Sequence, residues 1–330
     1  MTKLNSLSQH EGLLYTALFS MDGERLDISL EDPKAHKTRK GVLWTHMCAL
    51  HDDTSIWLQE QTDLDELVIN AMLAAETRPR ILVRKEGVMI ILRAMNLHEG
   101  EPPEDMISLR LWIDGKRIIT TRRRDIMSIE DMKGFMDTNN PPKSSGEFLT
   151  MITDRVYERM EPYIDDLEDR VAATEEVFAK NKGHTKWDDA GLIRTRIAIF
   201  RRYIMPQKIV LEGLIKAKYD WLSEEDVEHL VESHDRVTRY IEILNDIKDR
   251  TQILIDEINR HQDAKLNMTS YLFSVAATIF LPLGFLTGLM GINIGGMPGV
   301  EEEGAFWVFT VVCVVLVAFQ IFIFKKLRWF

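Results

Sequence analysis

Near its C-terminus the chain carries two uncharged stretches, Tyr271–Met290 and Ala305–Phe324, each of twenty residues. A helix rises about 1.5 Å per residue, so each run reaches about 30 Å, the thickness of a bilayer's hydrocarbon core. Two such runs, close together at one end of the chain, predict a pair of transmembrane helices rather than two buried helices of a soluble core. Residues before 269 are rich in charge, whereas 269–330 hold charge only in a short acidic cluster and a basic tail.

The flanks set the orientation. Lys248, Arg250, Arg260 and Lys265 precede the first span, and Lys325, Lys326 and Arg328 follow the second. The connecting loop, 291–304, has no Lys or Arg and carries Glu301, Glu302 and Glu303. Positive-inside bias therefore puts both termini in the cytoplasm of a plasma-membrane (bacterial inner-membrane) protein, with Trp307 and Trp329 at the two interfaces of the second span. No apolar signal segment opens the chain, because Ser20, Asp22, Glu24 and Arg25 interrupt the region after Leu13.

The cytoplasmic part reads as an α+β domain over 1–146, followed by long helices and a stalk over 147–268. Strand patterns fall at 81–84, 88–92, 108–113 and 117–121, the last two joined by Asp114-Gly115, a hairpin signal. Helix patterns fall near 63–76 and 128–136, the second with Ser128 as its expected cap. Beyond the turn-rich linker 139–146 the pattern predicts one helix over 147–182 and another over 188–218, with Pro162 and Pro206 as kink positions. A third helix starts at the Ser223 cap, where Glu224, Glu225 and Asp226 suit the positive end of the helix dipole. Its stripe of Val227, Leu230, Val237, Ile241, Leu244, Thr251, Leu254 and Ile258 is unbroken by Pro or Gly before Pro282, so it runs into the first span as a stalk about 100 Å long at 1.5 Å per residue. Between Ser223 and Asn267 twelve Asp or Glu stand against six Lys or Arg. That excess is either a solvated face or an electrostatic funnel for cations.

A net charge of −11 excludes a nucleic-acid surface and suits a partner that gathers cations. Arg122-Arg123-Arg124 is the one basic patch, read as a solvated rim. Two cysteines, Cys48 and Cys313, build no disulfide framework. No phosphate-binding glycine loop, Ser-His-Asp order or zinc-hydrolase motif points to an enzyme. His46, Cys48 and His51, beside Asp52 and Asp53, offer ligand types that suit zinc, although Asp52-Asp53-Thr54 reads equally well as a helix cap. His229, His234 and His261 read as solvated stalk residues.

The first span does not look like a lipid anchor. Asn267, Ser270, Ser274, Ala277, Leu281, Gly284, Gly288 and Gly291 recur at steps of three and four, a mostly small or mildly polar stripe opposite Ile279, Phe280, Leu283 and Phe285. Such a stripe serves close helix packing or lines a pore. Two spans cannot enclose a hydrated path, so a ring of first spans in an oligomer satisfies both readings. At the outer end, converging helix C-termini and a ring of Asn293 carboxamides would hold a hydrated divalent ion, with Glu301–Glu303 as an outer acidic ring.

At Gly291-Ile292-Asn293 the sequence resembles the CorA superfamily of divalent-cation transporters, marked by Gly-Met-Asn directly after the first of two C-terminal spans. The whole of Tyr271–Asn293, including Ile279-Phe280-Leu281-Pro282, looks like that family. The resemblance implies a homopentameric funnel with an axial pore lined by the first span. Asn293 would be the outer selectivity residue and Asn267 would ring the inner end. Leu281 and Phe273 would form hydrophobic constrictions, and Asp256 matches a regulatory metal position of the magnesium channels. Ile292 in place of Met, followed by Ile-Gly-Gly-Met-Pro-Gly, is similar to the ZntB branch. That implies zinc as the transported ion, with no resident cofactor, and proton-coupled uptake as the expected mode. Two rival readings are a CorA-type magnesium or cobalt channel gated by intracellular metal, and a membrane-anchored sensor or scaffold.

Overall fold

In the computed structural model the described residues are 11–20, 22–26, 41–138, 141–180, 187–292, 297, 299 and 302–326. By their contacts the residues divide into two compact units, Met1–Ile255 and Asp256–Phe330.

The first unit is built on seven strands: β1 (Leu13–Phe19), β2 (Arg25–Leu26), β3 (Val42–Cys48), β4 (Arg80–Val83), β5 (Val88–Ala94), β6 (Ile107–Ile113) and β7 (Arg117–Arg122). They lie in the order β2-β1-β3-β7-β6-β5-β4. Only β3 and β7 pair parallel, so the architecture is α+β. Strand β6 is buried at every position because helices cover both faces of the sheet. Side chains alternate along β5: Met89 and Ile91 meet Trp57, Leu58, Val68 and Met72, while Ile90 and Leu92 join the larger core on the other side. The small layer is carried by α1 (Asp52–Gln61) and α2 (Glu66–Leu73), the large one by α3 (Met127–Asp137), α4 (Ser145–Glu158), α5 (Glu161–Lys180), α6 (Trp187–Lys216) and the start of α7 (Glu224–Met290).

The Asp114-Gly115 turn forms as its sequence predicts, with Gly115 at φ +83° and Asp114 N–H donating to the Arg117 carbonyl at 3.1 Å. The Asp114 carboxylate also accepts from Arg117 Nε at 2.9 Å, and Asp63 holds the same guanidinium at 3.0 Å. The cap of α7 forms too. Asp226 N–H donates to Ser223 Oγ at 3.1 Å, and Ser223 N–H donates back to Asp226 Oδ2 at 2.9 Å.

Three local expectations are corrected. Ser128 is not a cap: Ile126 takes that position, and Ser128 is buried in the first turn of α3. The expected helix over 147–182 is two helices, interrupted at Arg159-Met160, so Pro162 is the second residue of α5. Its missing N–H costs nothing there. The Arg122–Arg124 run is a solvated rim only at Arg124, since Arg123 is half-buried and Arg122 is 11 % exposed and ion-paired with Asp125 and Glu130.

Besides Asp226 and Ile255, the buried residues of α7 in this unit are Leu230, Ser233, Val237, Tyr240, Leu244, Ile247, Thr251 and Leu254. Their alternating steps of three and four are the seam of a heptad helix pair. Flanking it, Arg236 faces Asp154 (3.7 Å), Arg239 Glu161 (3.0 Å) and Arg250 Glu175 (2.6 Å). These three basic side chains of α7 thus turn to acids of α4 and α5, and Glu228, Glu232, Asp235, Glu242 and Asp249 are left exposed on α7.

The second unit holds the remainder of α7 and α8 (Ala305–Lys326). Both helices are long and apolar enough to cross a membrane, and neither buries its most apolar window.

Candidate ion path

Residues on α7 advance about 100° each, which sorts its last turns into faces. Tyr271, Val275, Ile279, Leu283 and Leu286 are half-buried. On α8 the half-buried or buried positions are Ala305, Phe309, Thr310, Cys313, Leu316, Val317, Gln320 and Phe324, again one face. The two helices therefore cover each other along one stripe apiece. Asn267, Ser270, Ser274, Ala277, Leu281, Gly284, Gly288 and Gly291 are all exposed. Their stripe lies about 160° around α7 from the covered face, by the same 100° step. Phe273 and Leu281 are exposed to 72 % and 71 %. A side chain at Gly284 or Gly288 would meet nothing within 4 Å.

Helix α7 stays regular through Pro282, which has no N–H and cannot bond the carbonyl four residues back. That carbonyl belongs to Thr278, and Gln320 Nε2 of α8 donates to it at 3.0 Å. Sequence reasoning passed over Gln320. The signal was present, because a lone amide in an apolar span is costly unless it finds a partner. The hydroxyls of Thr278 and Thr287 are satisfied within the helix, on Ser274 O (2.7 Å) and Leu283 O (2.9 Å). At the outer end Gly291 N–H closes the last turn on Thr287 O at 3.0 Å. Ile292 is exposed, as are Glu302 and Glu303. Asn293 and Glu301 lie outside the described residues, as do the flanking Arg328 and Trp329.

The structure does not bring His46, Cys48 and His51 together. Among the described residues no three His, Cys, Asp or Glu side chains are grouped to hold a metal ion. His46 is buried in β3, where its Nδ1 and Trp44 Nε1 share the Thr120 hydroxyl at 2.8 and 2.9 Å. Burial, and then the charges of Arg122 and Lys133, hold this ring well below its ordinary pKa, so it is neutral at physiological pH. His51 is the exposed N-cap residue of α1. Asp256 is exposed on α7 at the start of the second unit. His261 sits 3.8 Å from Glu257, and His234 3.6 Å from Glu212.

The sequence model of the family described as CorA-like Mg2+ transporter protein matches residues 39–326. The divalent cation transporter CmaX of Pseudomonas aeruginosa is 32 % identical over 289 residues, 87 % of each chain. The zinc transport protein ZntB of Yersinia enterocolitica is 30 % identical over 311 residues, 94 % of each chain. Among solved structures, full-length CmaX superposes with a TM-score of 0.81 at 29 % identity, covering 97 % of this chain and 99 % of that one.

Proposed function

Because this chain belongs to the CorA-like Mg2+ transporter family, in its ZntB branch, we infer that the uncovered stripe of α7 lines the path of a divalent cation. The protein is a divalent-cation transporter of the CorA/ZntB type and not an enzyme. The ion is its cargo rather than a cofactor. On our reading the path is the axial pore of a homopentamer in the inner membrane, with both termini in the cytoplasm. Its working parts are the α+β domain over 1–146, the helices and stalk over 147–268 and the membrane pair over 269–330.

The observation that carries this reading is the coverage of α7 by α8 on one face only. Small and polar residues facing lipid would leave Asn267, Ser270 and Ser274 without water or partner, which hydrocarbon penalises. Turned toward an axis they line a hydrated path, narrowed by Phe273 and Leu281. Asn293 would form the outer filter with Gly291 and Ile292, and Glu301, Glu302 and Glu303 the acidic ring outside it. Neutral oxygens hold a divalent ion through its water shell and also release it. Zinc is the proposed cargo, supported by Ile292 and by the zinc transport named for the ZntB relatives, with proton-coupled uptake as the mode. The magnesium named for the family supports a second reading, a channel gated by metal at Asp256.

The test is flux into liposomes, with zinc and magnesium recorded separately, with and without a pH gradient. Zinc entry that follows the proton gradient and is lost in Asn293→Ala, with assembly intact, is the expected result. Magnesium entry indifferent to pH and raised by Asp256→Ala would replace it with the gated channel. Absence of flux from an intact oligomer would return the protein to a sensor role.

A further inference from the structure

The first unit contains a cavity of about 900 Å³ whose lining is at odds with the protein's net charge of −11. Arg78, Arg93, Arg110, Arg123, Arg124 and Arg202 line it, with Glu76 and Asp105 as the acids. They arrive from separate parts of the fold: the segment after α2, strands β5 and β6, the end of β7, and α6.

Among the described residues three of these guanidiniums have no carboxylate within ion-pair distance, although Asp105 and Glu76 act on Arg93 from farther off. Arg110, only 1 % exposed, donates to Ser108 O at 3.3 Å and to Ala74 O, at the C-terminal end of α2, at 2.6 Å. Arg93 donates to Met106 O at 2.6 Å and to Thr77 O, and Arg123 to Leu73 O at 3.4 Å. Each Nε of Arg93, Arg110 and Arg123 is buried without an acceptor. Asp105 is committed to Arg124 at 2.9 Å. Carbonyl dipoles orient these groups, but none supplies a countercharge. The strain registers on Arg110, which burial, then Arg123 and Arg93, push down to about 10. Beside them Arg93 lies 4.5 Å from the centre of the Tyr203 ring, with Arg202 at 5.5 Å. The aromatic face holds the rim arginines in place.

Like charges gathered in a low-dielectric cleft raise the energy of the empty site and lower it again when an anion enters. Guanidinium forks match phosphate oxygens two at a time. We propose that this cavity is a binding site for an oligophosphate anion, free or carried on a nucleoside, held by Arg93, Arg110, Arg123 and Arg202. A single sulfate or phosphate would meet too few of them to compete.

The full-length protein in detergent, with EDTA present to remove metal, is titrated calorimetrically with sodium triphosphate, ATP and sulfate at matched ionic strength. The expected result is saturable triphosphate binding, one per chain, at least about tenfold tighter than sulfate, the equivalent of about 1.4 kcal/mol, since triphosphate engages more of the guanidinium forks. Arg202→Glu on the exposed rim and Arg123→Gln each weaken it by about tenfold or more on the same basis. Arg84→Gln, which removes an exposed pair with Asp65 outside the cavity, leaves it unchanged. ATP binding as tightly as triphosphate or tighter supports the site, the excess measuring what the nucleoside adds. No saturable binding, triphosphate no tighter than sulfate, ATP binding without triphosphate, or binding indifferent to Arg202→Glu in a variant of unchanged Tm would each overturn it.

Discussion

Between Leu230 and Ile258 helix α7 buries a residue at every third or fourth position, and between Asn267 and Gly291 it buries none. As far as Ile247 the first stretch joins a core shared with α4, α5 and α6 of the same chain, so its heptad seam closes within one copy. The second finds only α8, on one face. One helix therefore carries two kinds of surface, one satisfied by folding and the other, on the proposed reading, satisfied by assembly. The difference teaches that exposure along α7 is informative only where the exposed residues are small, polar or glycine, because an exposed Phe or Val on a membrane span is simply facing lipid.

Substituting leucine in both stretches tests that division most strongly. Leu244→Ala empties a buried seam position and is expected to destabilise the cytoplasmic unit by about 2–5 kcal/mol. Leu281→Ala is expected to change stability by less than about 0.5 kcal/mol while raising basal ion flux. Urea unfolding followed by tryptophan fluorescence, beside liposome flux, reads both, and equal losses of stability would break the comparison. A smaller effect is expected at Gly288→Leu, where nothing in the single chain opposes the added side chain. Flux should fall by about tenfold, the equivalent of a barrier raised by about 1.4 kcal/mol, with Tm unchanged. Unaltered flux would mean that this stripe faces lipid.

His46 sharpens the comparison from the cytoplasmic side. Its ring is held well below 6.5 in the folded chain, so below about pH 6.5 the unfolded chain takes up a proton that the folded one refuses. Stability is therefore constant above that pH and falls as pH drops through it, by up to about 1.4 kcal/mol per unit until the folded ring titrates. Denaturation midpoints at pH 7.5 and 5.5 should show the loss, and His46→Gln should flatten it. A further small effect is expected at Gln320→Leu, about 1 kcal/mol or less, vanishing when Pro282→Ala restores the backbone donor. A full effect in that background would assign Gln320 some other partner.

Much of the fold was legible where the cause is local. The two spans, the Asp114-Gly115 hairpin and the Ser223 cap each depend on residues a few places apart. Strands β1 and β3 were not, because β3 is specified by its parallel pairing with β7, whose partners are seventy-odd residues away in sequence. The His46, Cys48 and His51 cluster failed for the same reason: burial of β3 gave His46 to Thr120, a contact that spacing cannot reveal. Of the ion path, the stripe was legible from its steps of three and four, while Gln320 required knowing which carbonyl Pro282 leaves open. The arginine cavity was invisible, since of a run of three arginines only Arg123 joins it as a ligand, beside Arg93, Arg110 and Arg202 from distant segments.

The bond from Gln320 to the carbonyl that Pro282 deprives of its donor also governs how this sequence drifts. A proline at 282 is harmless only in a chain that carries a donor at 320. A lineage that discards the amide first inherits a bare carbonyl in hydrocarbon, whereas one that discards the proline first inherits no such defect. Losing the proline first is thus the milder single substitution, and the amide can then be lost without leaving that carbonyl bare.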